Sequence, residues 1–189
     1  MHICGKKVIF ATLMKKIILI TGGQRSGKSQ HAERLALSVS THPIYMATAH
    51  IWDEEFRERV RKHQQRRGPQ WTNIEEEQWL SRHDLSGRVA VIDCITLWCT
   101  NFFFDRKKPD WEQPSVDEAL TALKQEFDHF TNQDATFIFV TNEIGSGGVS
   151  TDAIQRRFTD LQGWMNQYVA SKADEVILMV SGIAVRIKG

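Results

Sequence analysis

Residues 22–29 read GGQRSGKS, and no other stretch constrains this chain as strongly. Before it, Ile17–Ile20 is an unbroken apolar, β-branched run, as expected of a parallel strand covered on both faces. After it, Ser29–Ser40 carries Ala32, Leu35, Ala36 and Val39 at helical spacing. The pattern G-x-x-x-x-G-K-[ST] is met in full by Gly22, Gly27, Lys28 and Ser29, in the strand–loop–helix setting that a chance glycine-rich turn would lack. A loop that wraps phosphates with main-chain N–H groups needs glycine where side chains would obstruct it. Gly23, Gln24, Arg25 and Ser26 complete that wrap, Lys28 would reach the terminal phosphates, and the Ser29 hydroxyl would hold Mg²⁺. The chain reads as a nucleotide-binding enzyme.

Downstream, elements alternate. Pro43–Ala47 reads as a strand, and Asp53–Arg67 as a charged, exposed helix with the thin stripe Phe56 and Val60. Val89–Ile92 is a buried strand ending in Asp93, followed by an apolar, aromatic helix over Ile95–Phe104 and a polar loop to Pro114. Ser115, with Glu118 three positions on, forms a capping box for a helix to about Phe130. Thr136–Thr141 is a strand, Gly145–Gly148 a flexible loop, Asp152–Ser171 a helix, and Glu175–Val180 and Ala184–Lys188 two last strands. The short link Ser181–Ile183 allows these two to close as an antiparallel edge hairpin. The expected fold is a three-layer α/β P-loop NTPase sandwich with a mostly parallel sheet, in one domain from residue 14 to 189.

Bulk properties narrow the function. A formal net charge of +1 gives no general attraction to nucleic acid or membrane, so any anion site is local. No apolar run approaches the ~20 residues of a membrane helix. Lys15 and Lys16 interrupt the apolar N-terminus, and residues 1–13 read as an extension ahead of the domain. Cys4, Cys94 and Cys99 lack metal-ligand spacing, and the last two read as reduced core thiols of a cytoplasmic protein.

Three further features bear chemistry. Asp93 at a strand end suits an acid aimed at the metal, although strand-end aspartates also serve as helix caps. Thr141-Asn142-Glu143 ends another buried strand, where open α/β sheets bind ligands; it positions an acceptor or a base, or is a solvated turn. His63 lies among Arg59, Arg61, Lys62, Arg66 and Arg67, cations that favour neutral imidazole and can hold phosphate oxygens. Taken alone, a surface histidine on an exposed helix is the stronger reading of that segment.

The segments TGGQRSGKS, ATAHIWDEEFRERVRKHQQRRGPQW, VIDCITLW, VTNEIGSG and ADEVILMVSGIAVRIK together resemble the adenosylcobinamide kinase/adenosylcobinamide-phosphate guanylyltransferase family. The likeness runs from about Lys15 to Lys188, and the R-[IV]-x-x-H-x-x-x-R segment is its most specific part. It implies phosphorylation of the aminopropanol hydroxyl of adenosylcobinamide by ATP or GTP. GMP transfer from GTP to adenosylcobinamide phosphate follows, through a guanylylated histidine. His63 matches that histidine, which reverses the reading above, and Arg67 matches the family's arginine; Arg66 precedes it. Thr48, Ala49, His50 and Glu75 match positions that look like nucleotide contacts, and Asp93 matches the strand-end acid that with Ser29 would serve Mg²⁺. A homotrimer is also implied.

The chain departs from the family in two places. Asp93 stands where some relatives carry Glu. Gly145-Ser146-Gly147-Gly148-Val149-Ser150 lacks the usual proline, which predicts a looser loop. A kinase without guanylyl transfer is the nearest alternative; a GTP-dependent switch is disfavoured by the lack of an N-K-x-D segment.

Overall fold

The computed structural model describes residues 15–51, 54, 58, 61, 67–105, 107 and 115–189. Strand β1 (Lys16–Gly22) leads into helix α1 (Lys28–Val39), then β2 (Ile44–Ala47) and β3 (Thr72–Glu75). Next come β4 (Val89–Asp93), α2 (Ile95–Phe103), α3 (Val116–Phe130) and β5 (Thr136–Val140). The chain closes with α4 (Ala153–Lys172), β6 (Glu175–Val180) and β7 (Ile183–Lys188). The strands form one sheet in the order β3-β2-β4-β5-β1-β6-β7, parallel except for β7. The expected α/β architecture is what the chain adopts, antiparallel edge hairpin included.

Alternation along the strands builds two cores. Ile18 and Ile20 pack with Val91, Ile138 and Val140 beneath Ala32 and Ala36 of α1. Ile17 and Leu19 face the other way, with Ile92, Phe137 and Phe139, under α2, α3 and α4. Trp98, Phe102 and Phe103 are buried there; Trp79 stays 37% exposed, stacked edge-on to Phe102. Cys94 and Cys99 are free and buried.

The Ser115 cap forms as the sequence implies, and the structure adds a second at Asp152. The Ser115 hydroxyl accepts from the Glu118 N–H at 3.3 Å, and Asp152 accepts from the Gln155 N–H at 2.7 Å. The β6–β7 turn is Ser181-Gly182, with φ of 51° and 84°, the doubly left-handed turn that suits a two-residue hairpin. Two features differ from expectation. The edge strand β3 (TNIE) is polar and largely exposed, so it carried no apolar signal. Within the stretch taken as a flexible loop, Gly145–Gly147 forms a 3₁₀ turn. Of the expected helix over residues 53–67, Glu54, Glu58 and Arg61 are helical; His63, Arg66, Trp52 and residues 1–13 lie outside the described residues.

The core predicts its own test. Phe127 is fully buried, with its ring centroid 5.2 Å from that of Phe139 and 5.9 Å from that of Tyr168. Phe127→Ala should lower the unfolding free energy by about 3–5 kcal/mol in a urea titration. A loss below about 1 kcal/mol would contradict this packing.

Candidate active site

At the end of β1 the backbone turns through Gly22, whose φ is 146°. A Cβ there would stand 2.4 Å from the Met179 carbonyl oxygen and 3.0 Å from Ser26 Oγ, so only glycine fits. Gly27 (φ 94°) opens α1 and lies beside the β6–β7 turn, where the Gly182 N–H donates to the Ser26 carbonyl at 3.0 Å. On the other flank the Glu143 N–H donates to the Gly22 carbonyl at 3.1 Å. Strands on both sides therefore hold the loop. Helices α3 and α4 are side-chain capped, but α1 is not, and its first N–H groups face the loop without a side-chain acceptor.

Lys28 is buried within this loop. Its ammonium donates to the Gly23 carbonyl at 2.6 Å and lies 3.5 Å from Ser26 Oγ. Burial lowers its pKa, and the nearby Cys94 and Asp93 act in the opposite sense. Val140 of β5 pairs with both Ile20 and Asp93, so a single strand separates the loop from the acid at the end of β4. Asp93 Oδ2 accepts a 2.6 Å hydrogen bond from the buried Tyr45 hydroxyl. Burial, then Asp93, raises the Tyr45 pKa well above its ordinary value, and burial pushes the Cys94 thiol up to about 12. Ser29 follows Lys28 in the first turn of α1, half-buried.

The other predicted residues separate into distinct settings. Ala47 of β2 pairs with Glu75 on one side and Asp93 on the other, so Thr48, Ala49, His50, Glu75 and Asp93 gather at one edge of the sheet. The Thr48 side chain is spent inside the fold: its hydroxyl donates to the Cys94 carbonyl at 2.8 Å and accepts from the Cys94 N–H at 2.9 Å. His50 Nδ1 is 2.8 Å from Glu77 Oε1, at the surface. Arg67 is turned inward, its side chain only 3% exposed. Its Nε donates to Asn73 Oδ1 at 2.9 Å, Nη1 stands 3.7 Å from Glu33 Oε1 of α1, and the guanidinium lies 3.6 Å over the Tyr45 ring.

Two sets of residues at this edge escaped sequence reasoning. Tyr45 read only as part of a strand. The second set fixes Asn142: its N–H and carboxamide nitrogen lie 3.0 and 3.1 Å from the Thr96 hydroxyl oxygen. Its carbonyl accepts from Gln162 at 2.6 Å and Asn166 at 3.1 Å. The available signal was a polar i, i+4 pair, Gln162 and Asn166, on the otherwise apolar face of α4.

Sheet order and glycine loop together are those of the P-loop NTPase class of α/β proteins. A solved type III secretion system ATPase from pathogenic bacteria shares the fold, with a TM-score of 0.52 at 12% identity over 92% of this chain. The chain spans 57% of the length of that ATPase. A family model described as "Cobinamide kinase / cobinamide phosphate guanyltransferase" matches residues 18–187. The bifunctional adenosylcobalamin biosynthesis protein CobU of Escherichia coli is 39% identical over 91% of this chain and 99% of its own length. The corresponding CobP of Pseudomonas aeruginosa is 36% identical over 90% of this chain and 96% of its own. This chain belongs to the cobinamide kinase/cobinamide phosphate guanyltransferase family, and it is a transferase. Among the described residues, no helix is long and apolar enough to cross a membrane.

The buried ammonium has a testable consequence. The folded pKa of Lys28 is depressed, so its charged form opposes folding at all pH values below that pKa, and the penalty fades as pH rises toward the unfolded value. At pH 7, Lys28→Met should therefore leave the ligand-free protein at least as stable as wild type. It should also abolish the gain with Mg²⁺-GTP, which for the wild type is about 2.7 kcal/mol at a hundredfold excess over Kd. Thermal unfolding with and without nucleotide reads both effects; an undiminished nucleotide shift in the variant would remove Lys28 from the phosphate site.

Proposed function

We propose that the chain carries out both reactions named in its family's description. A nucleoside triphosphate first phosphorylates the aminopropanol hydroxyl of adenosylcobinamide; GMP from GTP is then transferred to the resulting phosphate to give adenosylcobinamide-GDP and pyrophosphate. The observation that carries this reading is the buried Lys28 ammonium, in a loop closed on both flanks, one strand away from the Asp93 carboxylate.

In the kinase step the γ-phosphorus forms a bond to the acceptor oxygen, its bond to the bridging oxygen breaks so that the nucleoside diphosphate leaves, and the hydroxyl proton passes to water. The chain's part is positioning and charge neutralisation. The N–H groups of Gly23–Ser29 cradle the phosphates, and Lys28 meets the charge on the terminal ones. Mg²⁺ suits the donor set: a hydroxyl (Ser29) and a carboxylate (Asp93) are hard oxygen ligands, and phosphates commonly complete the shell of this ion. Bound there, Mg²⁺ neutralises phosphate charge. Tyr45 occupies only Oδ2 of Asp93.

In the second step His63 attacks the α-phosphorus of GTP; a P–N bond forms and pyrophosphate leaves. The phosphate oxygen of adenosylcobinamide phosphate then attacks the same phosphorus and His63 departs. Splitting the exchange gives each displacement a good leaving group. The basic residues around His63, Arg66 among them, suit the charge of the migrating GMP. Ala49, His50 and Glu75 flank the nucleotide at the sheet edge in this reading, whereas Thr48, fully buried and bonded to Cys94, holds the end of β2 in place beneath them. A homotrimer is part of it as well, and Val180, Ile183 and Val185 on the edge hairpin, 51%, 68% and 45% exposed, offer apolar contact surface.

Incubation with Mg²⁺ and GTP labelled at the α-phosphate, followed by denaturation and intact-mass analysis, tests the covalent step. Acid-labile GMP should appear on the wild type and be absent from His63→Ala. Absence of label from a wild type that still binds GTP would leave a kinase without guanylyl transfer.

A further inference from the structure

We infer that Tyr45 is a positioning residue that orients the strand-end acid Asp93, and that Arg67 acts on the same carboxylate through the Tyr45 ring. The inference rests on the proposed role of Asp93 at the metal side of the nucleotide site.

Tyr45 lies on an interior strand, 4% exposed, in the apolar layer that includes Trp71, Val91 and Ile138. Phenylalanine would fill that space without the cost of burying a hydroxyl, which must find a partner when it leaves water. The partner is Asp93 Oδ2 at 2.6 Å, a charge-assisted length. Among the described residues no other hydrogen bond reaches the Asp93 carboxylate. A lone carboxylate at a strand end can rotate about its last bond. Tying Oδ2 to a rigid, buried ring removes that freedom and leaves Oδ1 to face away from the tyrosine.

The ring is itself held. Trp71 meets it edge-on at 6.1 Å between centroids, and the Arg67 guanidinium covers its face at 3.6 Å. Arg67 is fixed in turn by Asn73 of β3 and by Glu33, which stands on the helix that begins with Lys28. A chain of contacts thus runs from α1, the helix that follows the phosphate loop, through Arg67 and Tyr45 to Asp93, one strand away from that loop. A planar guanidinium stacks on the ring where a lysine ammonium would not. Removal of groups that orient metal ligands typically weakens metal affinity 10–100-fold. Water between Asp93 and the ion would put the effect at the low end of that range, about tenfold.

The test uses binding rather than turnover. The full chain is titrated with Mg²⁺ in the presence of a fluorescent GTP analogue, and the Mg²⁺ concentration giving half the metal-dependent gain in binding is recorded. Wild type, Tyr45→Phe, Asp93→Asn, the double variant and Arg67→Lys are compared, with circular dichroism and thermal unfolding as controls on the fold. Tyr45→Phe should raise the midpoint about tenfold while binding in EDTA stays unchanged; Asp93→Asn should raise it at least as far. Tyr45→Phe should add nothing further in the Asp93→Asn background, because it acts only through that carboxylate. Arg67→Lys should give an intermediate shift; none would remove Arg67 from the inference. A shift with Asp93→Asn but none with Tyr45→Phe, or equal Tyr45→Phe shifts in both backgrounds, would overturn the positioning role and leave the Asp93 reading intact. No shift with Asp93→Asn would sink the Asp93 reading itself, and this inference with it.

Discussion

The site is organised around a backbone contact that tolerates no side chain: at Gly22 the chain passes so close to the Met179 carbonyl that even a methyl group would collide. Because β1 lies between β5 and β6, its last residue is hemmed in by both neighbours, and the loop that follows inherits that confinement. Gly182 bonds to Ser26 from one flank and Glu143 to Gly22 from the other. An anion-binding loop must hold several N–H groups pointed at one place, an arrangement that a free loop would abandon to conformational entropy. Here the cost is offset by the sheet, which was ordered already.

The two faces of the sheet contribute differently. On the α1 face, Lys28 and Asp93 bring opposite charges to the two sides of the β5 end, and Tyr45 and Arg67 stand behind Asp93. On the opposite face α2 and α4 reach the tip of β5, through Thr96, Gln162 and Asn166, and hold Asn142 without any charge. Charge is thus concentrated where phosphates would lie, and neutral amides do the holding elsewhere. The overall charge of +1 hides this division, because it is a matter of placement rather than of count.

Much of this was legible in the sequence, and the exceptions have physical causes. The phosphate loop, Asp93, the cap at Ser115 and the edge hairpin are all local patterns, in which neighbours in sequence determine one another. β3 was missed because an exposed edge strand has no apolar face to declare it. Tyr45 was missed because its meaning lies 48 residues away, at Asp93, and strand periodicity gives the same weight to Tyr and Phe. Arg67 shows the converse. The motif marks it, but only the fold shows that its guanidinium is turned inward onto Tyr45, Asn73 and Glu33. His63, the residue on which guanylyl transfer depends in the proposed mechanism, rests on the family motif and on the cations around it.

The network at the tip of β5 is incompletely satisfied in a way that bears on its purpose. Gln162 donates to Thr96, at 2.9 Å, and to the Asn142 carbonyl, yet its own buried Oε1 has no hydrogen-bond partner among the described residues, nor has the Thr21 hydroxyl at the end of β1. Each such group costs about 1–3 kcal/mol, so an apolar core at these positions would be the more stable choice. Stability alone does not account for the arrangement. What the polar residues supply is position: Asn142 is held at its N–H, its carboxamide and its carbonyl, and it lies two residues past the end of β5, the one strand that separates Asp93 from the phosphate loop. Leucine at 162 would fill the space but would hold none of those atoms. A site that moves phosphoryl groups by positioning depends on placement of this kind, and the buried amides are where the fold gives up stability to obtain it.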